Sequence, residues 1–184
     1  MIDEPLGTVP KPHRDLLLTS ARVLVTIIIA LVCLIGIGLL TAAAALPVWQ
    51  SEVFAKVFEE TGKHPGGDFI VALEAIFVLL FVGGILAFRW LRQLGRIIDS
   101  VALGDAFAPI NAARLENMGW LTFGIEAISL PAGAIAGYLT HHFGREHIEI
   151  GPSLGGVLMA LVLFILARVF REGAAMRADL EGTV

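Results

Sequence analysis

Four long apolar runs dominate this sequence and constrain its fold more than any other feature. They extend over residues 23–46, 69–88, 119–139 and 154–170. Each run is close to the roughly 20 residues that a helix needs to cross a hydrocarbon core about 30 Å thick. Because the apolar residues are continuous rather than alternating, they predict helices and exclude a transmembrane barrel. We therefore predict an all-α membrane protein, a four-transmembrane-helix bundle.

The composition agrees with this prediction and excludes several other classes of protein. Hydrophobic residues make up 57 % of the 184 residues and charged residues 16 %, whereas soluble domains carry about 45–50 % and about 25 %. The formal net charge is -4, so no basic surface for nucleic acid is indicated. We predict one membrane domain over residues 1–184, with no cofactor, and we interpret the single cysteine, Cys33, as an apolar packing residue.

The distribution of lysine and arginine predicts the orientation of the chain in the membrane. Ten of the 13 Lys and Arg residues lie in the N-terminal segment, in the loop 89–118, or from residue 168 onwards. We expect this side to be cytoplasmic, which places both termini and the tail 171–184 inside the cell. The small residues 43–45 resemble a signal-peptide cleavage site, but the apolar run before them is long for a signal peptide.

Small residues predict where the spans pack against one another, because close approach of helices drives their association in lipid. We expect mainly internal packing, with homodimerisation through the same faces as the alternative. Pro131 is expected to kink the third span. The small residues concerned are Gly36, Gly38, Gly83, Gly84, Ala132, Gly133, Ala136, Gly137, Gly151 and Gly155.

Two carboxylates, Glu74 and Glu126, fall within the predicted spans. Ionisable groups at such depth are candidates for function by default. Glu74 is near the outer end of its span, where it can reach the interface. Glu126 lies deeper and requires a partner, which we predict to be Arg168, with Arg89 as a second candidate.

Four histidines fall on the predicted outer side of the membrane. They are His64, His141, His142 and His147, and the last three lie in the segment HHFGREH. Histidine binds metals and titrates near neutral pH, so an external metal or pH sensor is one hypothesis. The spacing matches no established metal-ligand pattern, and surface histidines without a role are the alternative.

The loop after the second span keeps a helical period, with apolar residues on one face and arginines on the other. This pattern indicates either a continuation of the second span or a helix on the membrane surface. Gly104 and Asp105 break the pattern, and Pro109 is suited to the first position of a new helix that runs into the third span. The tail reads as a continuation of the fourth helix.

Two segments, GDAFAPINAARLENMGW (104–120) and ARVFREGAAMRADLEGTV (167–184), resemble the motifs of a family of small bacterial four-span proteins. This family is domain-of-unknown-function family 2975. Ala108 departs from the serine often found before the proline. The matching residues are Gly104, Phe107, Asn111, Arg114, Leu115, Gly119, Trp120, Val169, Phe170, Arg171, Gly173, Met176, Arg177, Asp179, Thr183 and Val184.

The resemblance implies a function, because genes of this family commonly lie beside a helix-turn-helix regulator of the Xre/Cro type. It implies a non-enzymatic protein of the bacterial inner membrane that regulates or sequesters such a regulator through its cytoplasmic loop and tail. The alternative for these segments is that they only pack on each other. A small dimeric transporter or channel using Glu74 and Glu126 is a second hypothesis, whereas no catalytic or phosphate-binding motif favours an enzyme.

Overall fold

The computed structural model describes residues 16–143 and 151–182, and this part of the chain is all-helical without strands. Four of the five helices are long and apolar enough to cross a membrane. The predicted fold class is therefore confirmed, and the chain is a multi-pass membrane protein. The helices are α1 (Leu16–Ala45), α2 (Gln50–Thr61), α3 (Gly67–Ala102), α4 (Pro109–Phe143) and α5 (Leu154–Gly182).

The long helices continue well beyond the apolar runs that predicted them. α3 has 36 residues, so it includes both the second span and the amphipathic segment that follows it. A short turn, residues 103–108, separates α3 from α4, which begins at Pro109. Gly104 lies in this turn with φ at +83°, a conformation that favours glycine. The predicted loop 89–118 is thus two helix ends joined by a tight turn.

The short helix α2 was not predicted from the sequence, which left residues 47–68 as a connection. Its apolar side packs against Leu46, just after α1, and against one end of α3 and of α4. Gly62 closes the helix in the left-handed conformation, with φ at +68° and its N–H bonded to the Phe58 carbonyl. The buried residues of this cluster are Leu46, Val57, Phe69, Ile70 and Phe143.

The spanning helices pack mainly in chain order, α1 on α3, α3 on α4 and α4 on α5. Ala132 and Ala136 are buried on α4, which agrees with their predicted packing role. A β-carbon on Gly38, Gly83 or Gly137 would meet nothing within 4 Å, so these glycines do not mark close helix contacts within the chain. α4 passes through Pro131 without interruption.

α5 begins alongside the middle of α4 rather than at its end. The backbone N–H of Ser153, just before α5, bonds to the Glu126 side chain. From Glu126, α4 continues to Phe143, a distance of roughly 25 Å at 1.5 Å per residue. This offset brings the last turns of α5 level with the turn between α3 and α4.

Candidate functional site

The resemblance motifs of the loop and the tail meet at one end of the bundle, which we call the turn end. It contains residues 100–120 and residues 164–180 of α5. The opposite end, with α2, is the α2 end. The turn end is the side predicted to be cytoplasmic. Because α5 is offset along α4, side chains that are far apart in the sequence meet here. We call this set of contacts between α3, the turn, α4 and α5 the joint.

Asn111 is the centre of the joint and has no solvent exposure. Its amide nitrogen donates to the Ser100 hydroxyl at 2.7 Å and to the Ala106 carbonyl at 3.0 Å. Its amide oxygen accepts a bond from Arg114 at 2.9 Å, and the same Arg114 nitrogen donates to the Arg96 carbonyl. One buried amide therefore connects α3, the turn and α4.

Phe107 connects the turn to the tail. Its ring centroid lies 5.3 Å from that of Phe170. A β-carbon at Gly173 would come within 2.8 Å of the Phe107 ring, which is closer than real β-carbon contacts. Gly173 is therefore required for the ring to lie against α5.

A second close approach between α4 and α5 involves Gly119. A β-carbon there would lie 2.8 Å from the Phe164 ring. The Trp120 ring packs edge-on against the same phenylalanine, with centroids 5.3 Å apart. Leu115 joins a buried cluster with Met118, Leu163 and Ala167, so the loop motif supplies much of the contact with α5.

Two ion pairs complete the joint at its surface. Arg171 pairs with Glu116 at 2.6 Å, and Arg177 pairs with Asp105 at 2.9 Å. Both pairs join α5 to the turn or to the first turns of α4. Each is about half exposed, so each contributes orientation more than stability.

An open groove of about 340 Å³ lies between the first turns of α4 and the tail of α5. Most of its lining residues are alanines, several of them exposed, and an arginine stands at one side. The lining residues are Pro109, Ala112, Ala113, Arg171, Ala174, Ala175 and Ala178.

The residues of the joint lie within a stretch of the chain that matches a known family. Residues 65–184 match the model of a family described as a protein of unknown function, DUF2975. The chain belongs to this family. The match in this DUF2975 protein begins just before α3 and includes α4 and α5, the helices that form the joint, whereas α1 and α2 precede it. No curated protein and no solved structure matches the chain.

The structure gives Glu126 a partner different from the predicted one. Its carboxylate accepts bonds from the Ser153 N–H at 2.6 Å and from the Ser153 hydroxyl at 3.0 Å. Arg168 instead pairs with Glu172 at 3.1 Å on the same helix. The predicted Glu126–Arg168 pair is wrong because the offset of α5 places its N-terminus, not Arg168, beside Glu126.

The Glu126 site shows why α5 begins where it does. The first N–H groups of a helix have no partners within the helix, and a negative charge is favourable beside them. Here a carboxylate from the neighbouring helix accepts the bond. A β-carbon at Gly156 would overlap this carboxylate, so the glycine makes room for it. Ser153 and Gly156 were not singled out from the sequence, because their role depends on Glu126, which lies 27 positions before Ser153.

The remaining candidates do not join one site. Glu74 is half-buried on α3, and among the described residues no hydrogen bond or ion pair connects it to Glu126. The Lys63 ammonium donates a hydrogen bond to the backbone carbonyl of His142. The centroids of the His141 and His142 rings lie 5.3 Å apart.

Several predicted residues fall outside the part of the chain that the structure describes. Residues 16–143 and 151–182 contain no group of three metal-binding side chains. His147, Thr183 and Val184 lie outside these ranges, so the hypothesis of a three-histidine sensor stays a prediction.

Proposed function

We propose that this DUF2975 protein is a non-enzymatic protein of the bacterial inner membrane that sequesters a cytoplasmic helix-turn-helix regulator at its turn end. The observation that carries the proposal is the groove between α4 and α5 at this end. A homodimer is a second possible state of the same surface.

The lining of the groove suits a helix of a partner protein. Alanine side chains are small, so they allow two helices to approach closely, as glycine residues also do in tightly packed helix pairs. The exposed alanines of the lining, Ala113, Ala175 and Ala178, provide apolar area that a soluble partner would cover. The ion pair of Arg171 with Glu116 gives the groove a polar edge at one side.

The joint and the groove have separate roles in this proposal. The Asn111 side chain holds the turn against α4, and Phe107 packs the turn against α5. Substituting them therefore tests the fold rather than the partner. Binding is tested better at exposed groove alanines, whose replacement leaves the joint unchanged.

The experiment presents a purified helix-turn-helix regulator of the Xre/Cro type to the full chain in nanodiscs and measures how much regulator is captured. Ala113→Glu and Ala175→Glu each place a long charged side chain in the groove, and we expect at least tenfold weaker capture, about 1.4 kcal/mol or more. Ala102→Glu is the matched control, because Ala102 is exposed at the same end but does not line the groove. We expect this control to bind like the wild type.

Two results would contradict the proposal. The first is no capture by the wild-type protein. The second is equal loss in the groove variants and in the control, which would indicate a general charge effect. If the groove instead holds a second copy of the chain, the groove variants will convert a dimer into a monomer without any change in regulator binding.

A further inference from the structure

Three arginines on α3 form a feature that neither the joint nor the groove uses. Arg89, Arg92 and Arg96 line an open cavity of about 380 Å³ together with Gln93. We call the three arginines the arginine stripe. From Arg89 to Arg96 the stripe extends roughly 10 Å along the helix axis.

The stripe continues the lipid-facing side of α3. Exposed apolar residues at 78, 82 and 85 precede it, and the arginines follow at 89, 92 and 96. This alternation of steps of four and three keeps all six positions on one face of a helix. Val78 is 57 % exposed and Ile85 is 44 % exposed. On this face of α3, guanidinium groups thus replace the apolar side chains that meet acyl chains within about one helical turn.

Within the described part of the chain, the ion pairing of the stripe differs from that of several other arginines. Arg22, Arg168 and Arg171 each pair with a carboxylate. No carboxylate of residues 16–143 or 151–182 lies within ion-pairing distance of the stripe. Arg92 lies over the Phe88 ring at 5.7 Å from its centroid, a cation–π contact with a ring that carries no net charge.

A fourth guanidinium lies close to the stripe. Arg114 reaches the backbone carbonyl of Arg96 at 3.1 Å. It is held there by the buried Asn111, so its position is fixed by the joint. Four guanidinium groups thus lie together here, and no carboxylate of residues 16–143 or 151–182 pairs with them.

We propose that the arginine stripe binds the phosphodiester of an anionic phospholipid in the leaflet at the turn end. The guanidinium group donates two parallel hydrogen bonds to phosphate oxygens, and basic clusters beside spanning helices bind anionic headgroups. The acyl chains of the same lipid lie along Val78, Val82 and Ile85. A zwitterionic lipid carries its own cation, which competes with the arginines for the phosphate.

The test is native mass spectrometry of the full chain in detergent with equal amounts of phosphatidylglycerol and phosphatidylcholine of matched acyl chains. We expect about fivefold more phosphatidylglycerol adduct on the wild type. In the triple variant Arg89→Gln, Arg92→Gln, Arg96→Gln the two adducts become equal. The single variant Arg92→Gln is expected to lose about half of the preference.

The matched control removes three arginines from α5 instead, by Arg168→Gln, Arg171→Gln and Arg177→Gln. These arginines have carboxylate partners, so the preference for phosphatidylglycerol is expected to stay near its wild-type value. An equal loss in this control, or a preference that survives the stripe variant, overturns the proposal.

A second arm distinguishes a lipid from a free anion. Excess inorganic phosphate at constant ionic strength is expected to leave the lipid preference unchanged, because the acyl chains add binding energy along α3. Complete displacement by inorganic phosphate would show a site for free phosphate and would overturn the assignment to a lipid. Regulator capture is independent of this result, since Ala113 and Ala175 lie outside the stripe.

Discussion

The contact between α4 and α5 and the contact between α1 and α3 show two ways of joining apolar helices. The α4–α5 contact contains a close approach of Gly119 to the Phe164 ring and hydrogen bonds from Ser153 to Glu126. The buried network of Asn111 adjoins it and connects α4 to the turn and to α3. The α1–α3 contact has ordinary apolar packing, such as Gly36 on Phe81, and one exposed ion pair between Arg22 and Asp99. Of all α1 residues described, only Val25 is buried.

A cavity makes the difference clearer. An open apolar cavity of about 170 Å³ lies between α1 and α3, beside Cys33 and Gly84. In lipid, apolar side chains gain little by leaving acyl chains for other apolar side chains. A helix pair therefore becomes specific through shape and hydrogen bonds, and α4–α5 has both. The family match also begins after α1, so the shared part of the chain contains the specific contact.

The largest effect is expected at Asn111. Asn111→Leu leaves the Ala106 carbonyl without its side-chain donor and removes an acceptor from Arg114, so we expect the free energy of unfolding to fall by about 2–3 kcal/mol. The matched control is Asn117→Leu, at an exposed position of the same helix. Reversible unfolding in mixed micelles measures both changes, and similar values for the two variants would show that the network contributes little.

Glycine substitutions sharpen the comparison because their sign should differ between the two contacts. Gly119→Ala and Gly173→Ala force a methyl group against an aromatic ring, and we expect a loss of about 1–3 kcal/mol. Gly84→Ala enters open space in the α1–α3 contact and should stabilise by up to about 1 kcal/mol, since alanine favours helix. Thermal midpoints in detergent give the order, and a loss at Gly84 would break the comparison.

The bond between Glu126 and α5 should have an intermediate effect. Glu126→Ala removes the acceptor of the Ser153 N–H and is expected to cost about 1–2 kcal/mol. Glu126→Gln keeps an acceptor oxygen and should cost less. The same unfolding measurement checks this order, with Glu74→Gln as a control. If the glutamine variant is as unstable as the alanine variant, the negative charge matters more than the hydrogen bond.

The smallest effects are expected for exposed ion pairs in both contacts. Arg171→Gln and Arg22→Gln should each change the free energy of unfolding by about 0.5 kcal/mol or less. A double-mutant cycle of Arg171 and Glu116 measures the coupling in the α4–α5 contact directly. A coupling well above 1 kcal/mol would show that this pair stabilises the joint and does not merely orient it.

Much of the site was predictable as residues but not as contacts. The resemblance motifs included Phe107, Gly119 and Gly173, yet their partners were not evident because helix–helix register is not encoded in either segment alone. The sequence also favoured Arg168 as the partner of Glu126. That prediction failed because α5 is offset along α4, which places Ser153 beside Glu126.

The short helix α2 was missed for a related reason. Its amphipathic pattern, with Val53, Phe54 and Val57 on one side, was available in the sequence. Twelve residues are marginal for an isolated helix in water, so the pattern alone is weak. Packing on Leu46, α3 and α4 stabilises it.

The sequence by itself determined the membrane class, the four spanning helices and the point where α4 begins. These properties depend on local signals, namely runs of apolar residues long enough to cross a bilayer and a proline suited to the first helical turn. Only the tertiary structure decided the offset of α5 along α4, and with it the joint, the partner of Glu126 and the groove. Hydrophobicity specifies that a helix enters lipid, but the register between two apolar helices depends on shape and on a few polar groups.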